Sequence, residues 1–204
     1  MRRPLANWQN TTHDWAASAD AGHIERIRQD AAVFAPGGVV HLVLEVLAYA
    51  ADEAQHTGAG RAAVTVHEDG SVSVADEGRG TDTRTDHQGQ AIRKPVTATR
   101  DLRFFDALQT EVLPDGHPRR GMSVVTALSA WLVHTSGRRD GAWTQRYEYG
   151  RPATDLTPIA GNGTTGTSVH FLPDNTLLQV ADLPAAKLRQ LALGFGPALA
   201  VKVT

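Results

Sequence analysis

No cysteine occurs in the 204 residues, so a disulfide framework, a thiolate zinc site and a cysteine nucleophile are all excluded. Aromatic residues are sparse at 6%, and no run approaches the ~20 apolar residues that a bilayer-spanning helix needs. The opening Met1-Arg2-Arg3-Pro4 leads into Trp, Asn, Thr, His and Asp rather than an apolar stretch, which argues against a secretory signal. Charge of one sign is lacking as well. The formal net charge is −2 with 21% charged residues, as in ordinary soluble domains, and gives no direct sign of DNA binding. The expected compartment is the cytoplasm, and the length suits a single domain with a real core.

What is present divides unevenly. Residues 1–22 are polar, carry Trp8 and Trp15 without a sustained period, and read as an N-terminal arm, with the folded domain over 23–204. From Val39 to Glu53 the chain is apolar nearly all round, yet His41, Glu45, Tyr49 and Asp52 recur at helical spacing, within roughly an 80° stripe. This predicts a buried helix with one polar seam, which must face hydrogen-bonding groups or a wet site. RAAVTVH and SVSVAD flank Glu68-Asp69-Gly70 as a hairpin, and HTS and WTQRYEY flank a second turn at 137–141. SVVTALSAWL reads as a helix running into a strand, GTSVHF as a strand, LPAAKLRQLAL as a helix capped by Asp182, and ALAVKV as the last strand. Residues about 81–122 resist assignment, with only LRFFDAL suggesting a helix, and read as an irregular lid. Helices and hairpins without regular strand-helix-strand crossovers predict an α+β sandwich with a mixed, largely antiparallel sheet.

The chemistry lies in Asp76-Glu77-Gly78-Arg79-Gly80, at the end of a predicted strand. A carboxylate there can accept from a purine amino group, while Gly78 and Gly80 let backbone approach a ring. Such strings also occur in plain hairpin exits. What gives this one weight is the company it keeps: Glu45 upstream on the polar seam and Thr164-Thr165-Gly166-Thr167 downstream.

In that order, HLVLEVLAYAADEA, SVSVADEGRG, GMSVVTALS, WTQRYEYGRP, TTGTSVHFLP and LRQLALGFGPALAVKV resemble the GHKL superfamily, with the nearest likeness to the ATPase domain of the gyrase B family. The resemblance covers about residues 23–204. It implies the Bergerat-type ATP-binding fold, a two-layer sandwich with an adenine nucleotide between the helices and an ordered lid. By position it makes Glu45 the candidate general base, Asp76 the acceptor for the adenine amino group, Gly80 a close neighbour of the base, and Thr167 a supporting hydroxyl. A glutamate among Leu44, Val46 and Leu47 could be tuned for base chemistry by desolvation, or could simply be ion-paired.

The departures are as specific. Where the family has an asparagine that ligates Mg²⁺, this chain has Tyr49, a poor ligand for a hard ion. The phosphate loop keeps Gly116 and Gly121 but reads Pro118-Arg119-Arg120 between them, so a backbone donor is lost and Arg119 and Arg120 are candidates to hold phosphate by charge, or to decorate a solvated loop. Asp82 stands where the family prefers a proline. The chain stops at Thr204, before the family's transducer domain with its γ-phosphate lysine and before the metal-binding domain that serves DNA cleavage. The expectation is a fragment or a free-standing paralogue that is no topoisomerase by itself. Three readings follow: an ATP-binding domain with weak or absent hydrolysis, a pseudo-ATPase interaction module without nucleotide, and an ATPase subunit of a type II topoisomerase-like complex needing a partner; a homodimer or another protein is the expected kind of partner.

Overall fold

A computed structural model describes residues 20–81, 101, 111–161, 163–178 and 183–204. Residues 1–19 of the expected arm over 1–22, most of the lid, LRFFDAL, Asp82 and Asp182 lie outside the described residues, while Asp20, Ala21 and Gly22 of that arm form the cap and start of a helix.

The polar-seamed helix is α3, Val39–Thr57, after α1 (Ala21–Gln29) and α2 (Ala31–Phe34). No glycine or proline interrupts α3, and it ends at Gly58, whose left-handed φ of 91° suits a residue without Cβ. Its residues from Val39 to Ala48 are all buried, as expected of a helix apolar on most sides. α1 carries no long apolar stretch and lacks a clear signal in the sequence. It is started by Asp20, whose side chain accepts from the His23 N–H at 2.9 Å.

Eight strands occur among the described residues, in one sheet of order β5-β4-β3-β7-β2-β1-β8, with β6 also pairing with β4. They are β1 (Gly60–Val66), β2 (Val72–Asp76), β3 (Ser129–Arg138), β4 (Gly141–Glu148), β5 (Arg151–Pro152), β6 (Thr157–Ile159), β7 (Gly166–Pro173) and β8 (Leu199–Val203). Only β1 and β8 run parallel, so the sheet is mixed and largely antiparallel. The turn of the first hairpin is set by Gly70, φ 81°, and by Asp69, which accepts from the Ser71 N–H at 2.9 Å.

Alternation decides which face meets the helices. Tyr147, Leu132, Phe171 and Val72 lie in register across β4, β3, β7 and β2, and all are buried. Their neighbours Arg146, Val133, His170 and Ser73 are only partly buried on the other face. α3 lies over β1, β2 and β8, while α4 (Met122–Ala127) packs on α1, α3 and β3. α5 (Ala185–Ala192) follows Pro184 and leans on β8. The result is the two-layer α+β sandwich, with one continuous apolar core between the layers. No helix among the described residues is long and apolar enough to cross a membrane.

Phe171 is fully buried in the middle of that ladder, so Phe171→Ala should cost about 3–5 kcal/mol. Lys202→Ala, at an exposed position on edge strand β8, should stay within about 0.5 kcal/mol. Urea unfolding of both variants checks the pair, and similar midpoints would contradict this burial pattern.

Candidate functional site

The seam of α3 finds its partners in the loop before α4. Both Glu45 oxygens accept backbone N–H groups, Oε1 from Arg120 and Oε2 from Gly121 at 2.8 Å. Gly121 has a φ of 88°, which turns its N–H toward the helix at a position where a side chain would be strained. His41, one turn earlier, lies with Nε2 3.3 Å from Glu45 Oε1, a charge contact without good hydrogen-bond alignment. Its Nδ1 meets Asp115 Oδ2 at 2.7 Å. Burial works against a charged imidazole, but the hydrogen bond to Asp115 and the close carboxylates of Glu45 and Asp115 outweigh it and raise the His41 pKa to about 9. Asp115 is held below the usual carboxylate range because His41 outweighs its own partial burial. A carboxylate-imidazolium-carboxylate row thus runs through the interior, with His41 and Glu45 both fully buried.

One turn further along α3, the Arg119 side chain turns inward, with 1% exposure. Its guanidinium makes a fork with Asp52, at 3.0 and 2.8 Å, and reaches Glu111 Oε2 at 2.8 Å. It also lies 4.8 Å from the centre of the Tyr49 ring. The Tyr49 hydroxyl donates to Asp101 Oδ2 at 3.2 Å and receives the Met122 N–H at 3.4 Å. Gly116 sits apart in a turn with φ 83°, its own N–H donating to the Leu113 carbonyl at 2.9 Å.

The second half of the site forms where β2, β3 and β7 end together. Asp76 Oδ1 accepts from the Gly78 N–H at 2.7 Å and from the Thr167 N–H at 3.3 Å. Desolvation raises the Asp76 pKa despite those two bonds. Its Oδ2 has no partner among the described residues. A Cβ at Gly78 would stand 2.8 Å from both Asp76 Oδ1 and Glu53 Cγ, and one at Gly80, φ 76°, would run into the Gly137 carbonyl. Glycine is therefore required at 80 by the backbone, while a side chain at 78 would displace the Asp76 and Glu53 side chains. The Thr167 hydroxyl lies 3.3 Å from that of Thr81, whose N–H donates to Ser136 Oγ at 2.8 Å. Beside this wall a cleft of about 230 Å³ is lined by Glu53, Ala54, Asp76, Gly78, Arg79 and Thr165, among others. Arg79 closes one side with a fork to Glu53, at 2.6 and 2.9 Å.

Two clusters along one helix therefore collect the residues the sequence singles out: Glu45, Tyr49, Arg119, Arg120 and Gly121 at one, Asp76, Gly78, Gly80 and Thr167 at the other. Sequence reasoning assigned no role to Asp115, Glu111, Thr81 or Ser136. Only His41 had a signal, the four-residue spacing to Glu45 on the seam.

Among the described residues, a helical layer on a mixed sheet, with a carboxylate and Gly-x-Gly closing β2 and a buried glutamate on the facing helix, is the arrangement that the GHKL resemblance implies. Comparison with known sequences narrows this. The chain is 37% identical over 167 residues to the mitochondrial DNA gyrase B protein of Arabidopsis thaliana, covering 76% of this chain and 23% of that protein. It is 35% identical over 164 residues to the DNA gyrase B protein of Thermotoga maritima, and 33% over 141 residues to the DNA topoisomerase 4 B protein of Bacillus subtilis. These cover 76% and 69% of this chain but 25% and 22% of the relatives. No family model matches. The chain belongs to the GHKL superfamily as a relative of gyrase B, and spans about a quarter of the length of the curated relatives it matches.

The charged row generates a pH dependence. Folded His41 keeps its proton up to about pH 9, whereas an unfolded histidine releases it near 6.5. Its pairing thus contributes fully below about pH 6.5 and is lost as pH rises through about 9. The urea midpoint of the wild type should fall across this window, by up to a few kcal/mol in stability, and His41→Asn should flatten the fall. A level wild-type profile would show that the buried imidazole is neutral.

Proposed function

We propose that the chain is an adenine-nucleotide-binding domain of gyrase B type, with ATP as the reference ligand, that hydrolyses ATP weakly or not at all. The observation carrying the binding half is Asp76. One oxygen is held by two backbone donors, the other has no partner among the described residues, and the carboxylate stands on a cleft wall where Gly78 leaves it room and Gly80 lets the backbone pass Gly137. That arrangement suits an exocyclic amino group, with the Thr167 and Thr81 hydroxyls beside it. The relatives are components of DNA gyrase and of topoisomerase 4, which favours a role inside a larger assembly over a solitary one.

The weak-hydrolysis half rests on the other cluster. A general base needs a water at a free lone pair, and Glu45 already has one acceptor site on each oxygen engaged by a backbone N–H, with His41 set against Oε1. The same two N–H groups point at Glu45, so a phosphate would have to compete with a fixed carboxylate for them. Phosphoryl transfer depends chiefly on positioning and on neutralising developing charge, and loss of one such donor commonly costs about 10²–10³ in rate. The latched loop is also the observation that favours a second reading, an interaction module that binds no nucleotide.

Thermal shift with AMP, ADP and ATP separates the two. Ligand at about 100-fold above Kd should add about 2.7 kcal/mol of stability. Asp76→Asn should weaken adenine nucleotides more than guanine nucleotides, because an amide offers one acceptor and a competing donor. No stabilisation by any of the three nucleotides would leave the interaction module standing.

Turnover is a separate measurement. Phosphate release by the purified chain at saturating Mg-ATP should stay at background, with Glu45→Ala no lower. Repeated turnover per minute that disappears in Glu45→Ala would overturn the weak-hydrolysis half.

A further inference from the structure

The divalent ion that the superfamily implies can be tested against the residues that would have to hold it. Mg²⁺ takes compact oxygen donors in a near-octahedral shell at about 2.0–2.1 Å. On the α3 seam the oxygens on offer beyond Glu45 are the Tyr49 phenol and the Asp52 carboxylate. The phenol is spent on Asp101 and on the Met122 N–H. Asp52 has both oxygens in the fork of Arg119, and Glu111 meets the same guanidinium from the loop side. A divalent ion would have to push Arg119 off two carboxylates and away from the Tyr49 ring, taking a buried cation from acids that offset its burial. These residues do not fit the ion.

The misfit has a direction. The Asp52 and Glu111 side chains are about half exposed, at 42% and 53%, while the guanidinium between them is at 1%. A pair of carboxylates open to solvent around one buried cation is the arrangement of an ion site whose ion is supplied covalently. A planar guanidinium serves here because it is always charged, weakly hydrated and matched to a carboxylate fork. We infer that the Arg119 guanidinium is the resident cation of this site: it takes the place of the divalent ion, so the chain binds its nucleotide without Mg²⁺, and removal of the guanidinium uncovers a carboxylate pair that takes a divalent cation. The nucleotide clause rests on the function proposed above, whereas the exchange of one cation for another does not.

The full chain is titrated calorimetrically with MnCl₂ in the absence of nucleotide, as wild type, Arg119→Ala and Arg119→Lys. ADP is then titrated into each in EDTA and in millimolar Mg²⁺. The wild type and Arg119→Lys should show no Mn²⁺ saturation at millimolar concentration, and their ADP affinity should agree within about threefold between the two buffers. Arg119→Ala should bind Mn²⁺, and its ADP affinity should rise about tenfold or more with Mg²⁺. Mn²⁺ binding by the wild type, or a tenfold tightening of its ADP binding by Mg²⁺, overturns the inference, as does a folded Arg119→Ala that ignores Mn²⁺. Should Arg119→Ala fail to fold, Arg119→Gln, which keeps donors to the carboxylates without the charge, is read by the same criteria. If no form binds ADP, the proposed function falls and the Mn²⁺ titrations still decide the role of Arg119.

Discussion

A carboxylate cannot be taken fully out of water without partners, and the position of Glu45 on α3 makes this the governing constraint at one end of the site. Its partners come from a loop that is neighbour to α3 only in space. The Arg120 and Gly121 N–H groups supply two of them, which fixes where α4 begins. His41 supplies charge, and because it is itself buried it needs Asp115 behind it. From one buried acid follow the path of the loop, the protonated histidine and the left-handed turn at Gly121.

The same loop carries a second constraint of opposite sign. Arg119 is among the largest fully buried side chains, and a guanidinium in the interior is tolerable only when acids surround it. Asp52 and Glu111 do so, with the Tyr49 ring against its face. A buried acid and a buried base thus pin adjacent residues of one loop to positions about two turns apart on one helix. Such mutual pinning gives the loop little freedom to move relative to α3. It also explains in physical terms why a tyrosine suits position 49: its ring packs on Arg119 while its hydroxyl reaches Asp101 and the start of α4.

The Asp76 end is built on other principles. There, the sheet supplies the geometry, since β2, β3 and β7 end beside one another and bring Asp76, Ser136 and Thr167 to a common wall. The charged groups at this end are Asp76, the Glu53–Arg79 fork at its flank, Arg61 and Glu77 on the cleft, and Arg138 on the Gly80 carbonyl. The two ends share α3, which carries Glu45 toward the loop and Glu53 toward the Gly78 turn. The difference between a tightly paired loop end and a strand end where one Asp76 oxygen has no partner among the described residues is why the proposed function separates binding from hydrolysis.

Much of the fold was legible because its signals are local. The α3 seam, the hairpins around Gly70 and at 137–141, and the alternation of β7 are periodicities and turn residues within a few positions of one another, and they led to the correct sandwich. The Asp76, Gly78 and Gly80 string is local too, so its strand-end geometry could be read from order alone. α1 escaped because its stability comes from contacts made far away, such as His23 with Ser123, 100 residues on. The loop end escaped for the same reason: His41 and Asp115 are 74 residues apart, and Arg119 and Asp52 67. Sequence by itself determined which residues carry charge and which elements hold them. Tertiary structure alone decided that Arg119 turns inward to Asp52 rather than outward to solvent, because the direction of a charged side chain follows from which opposite charge the fold brings within reach.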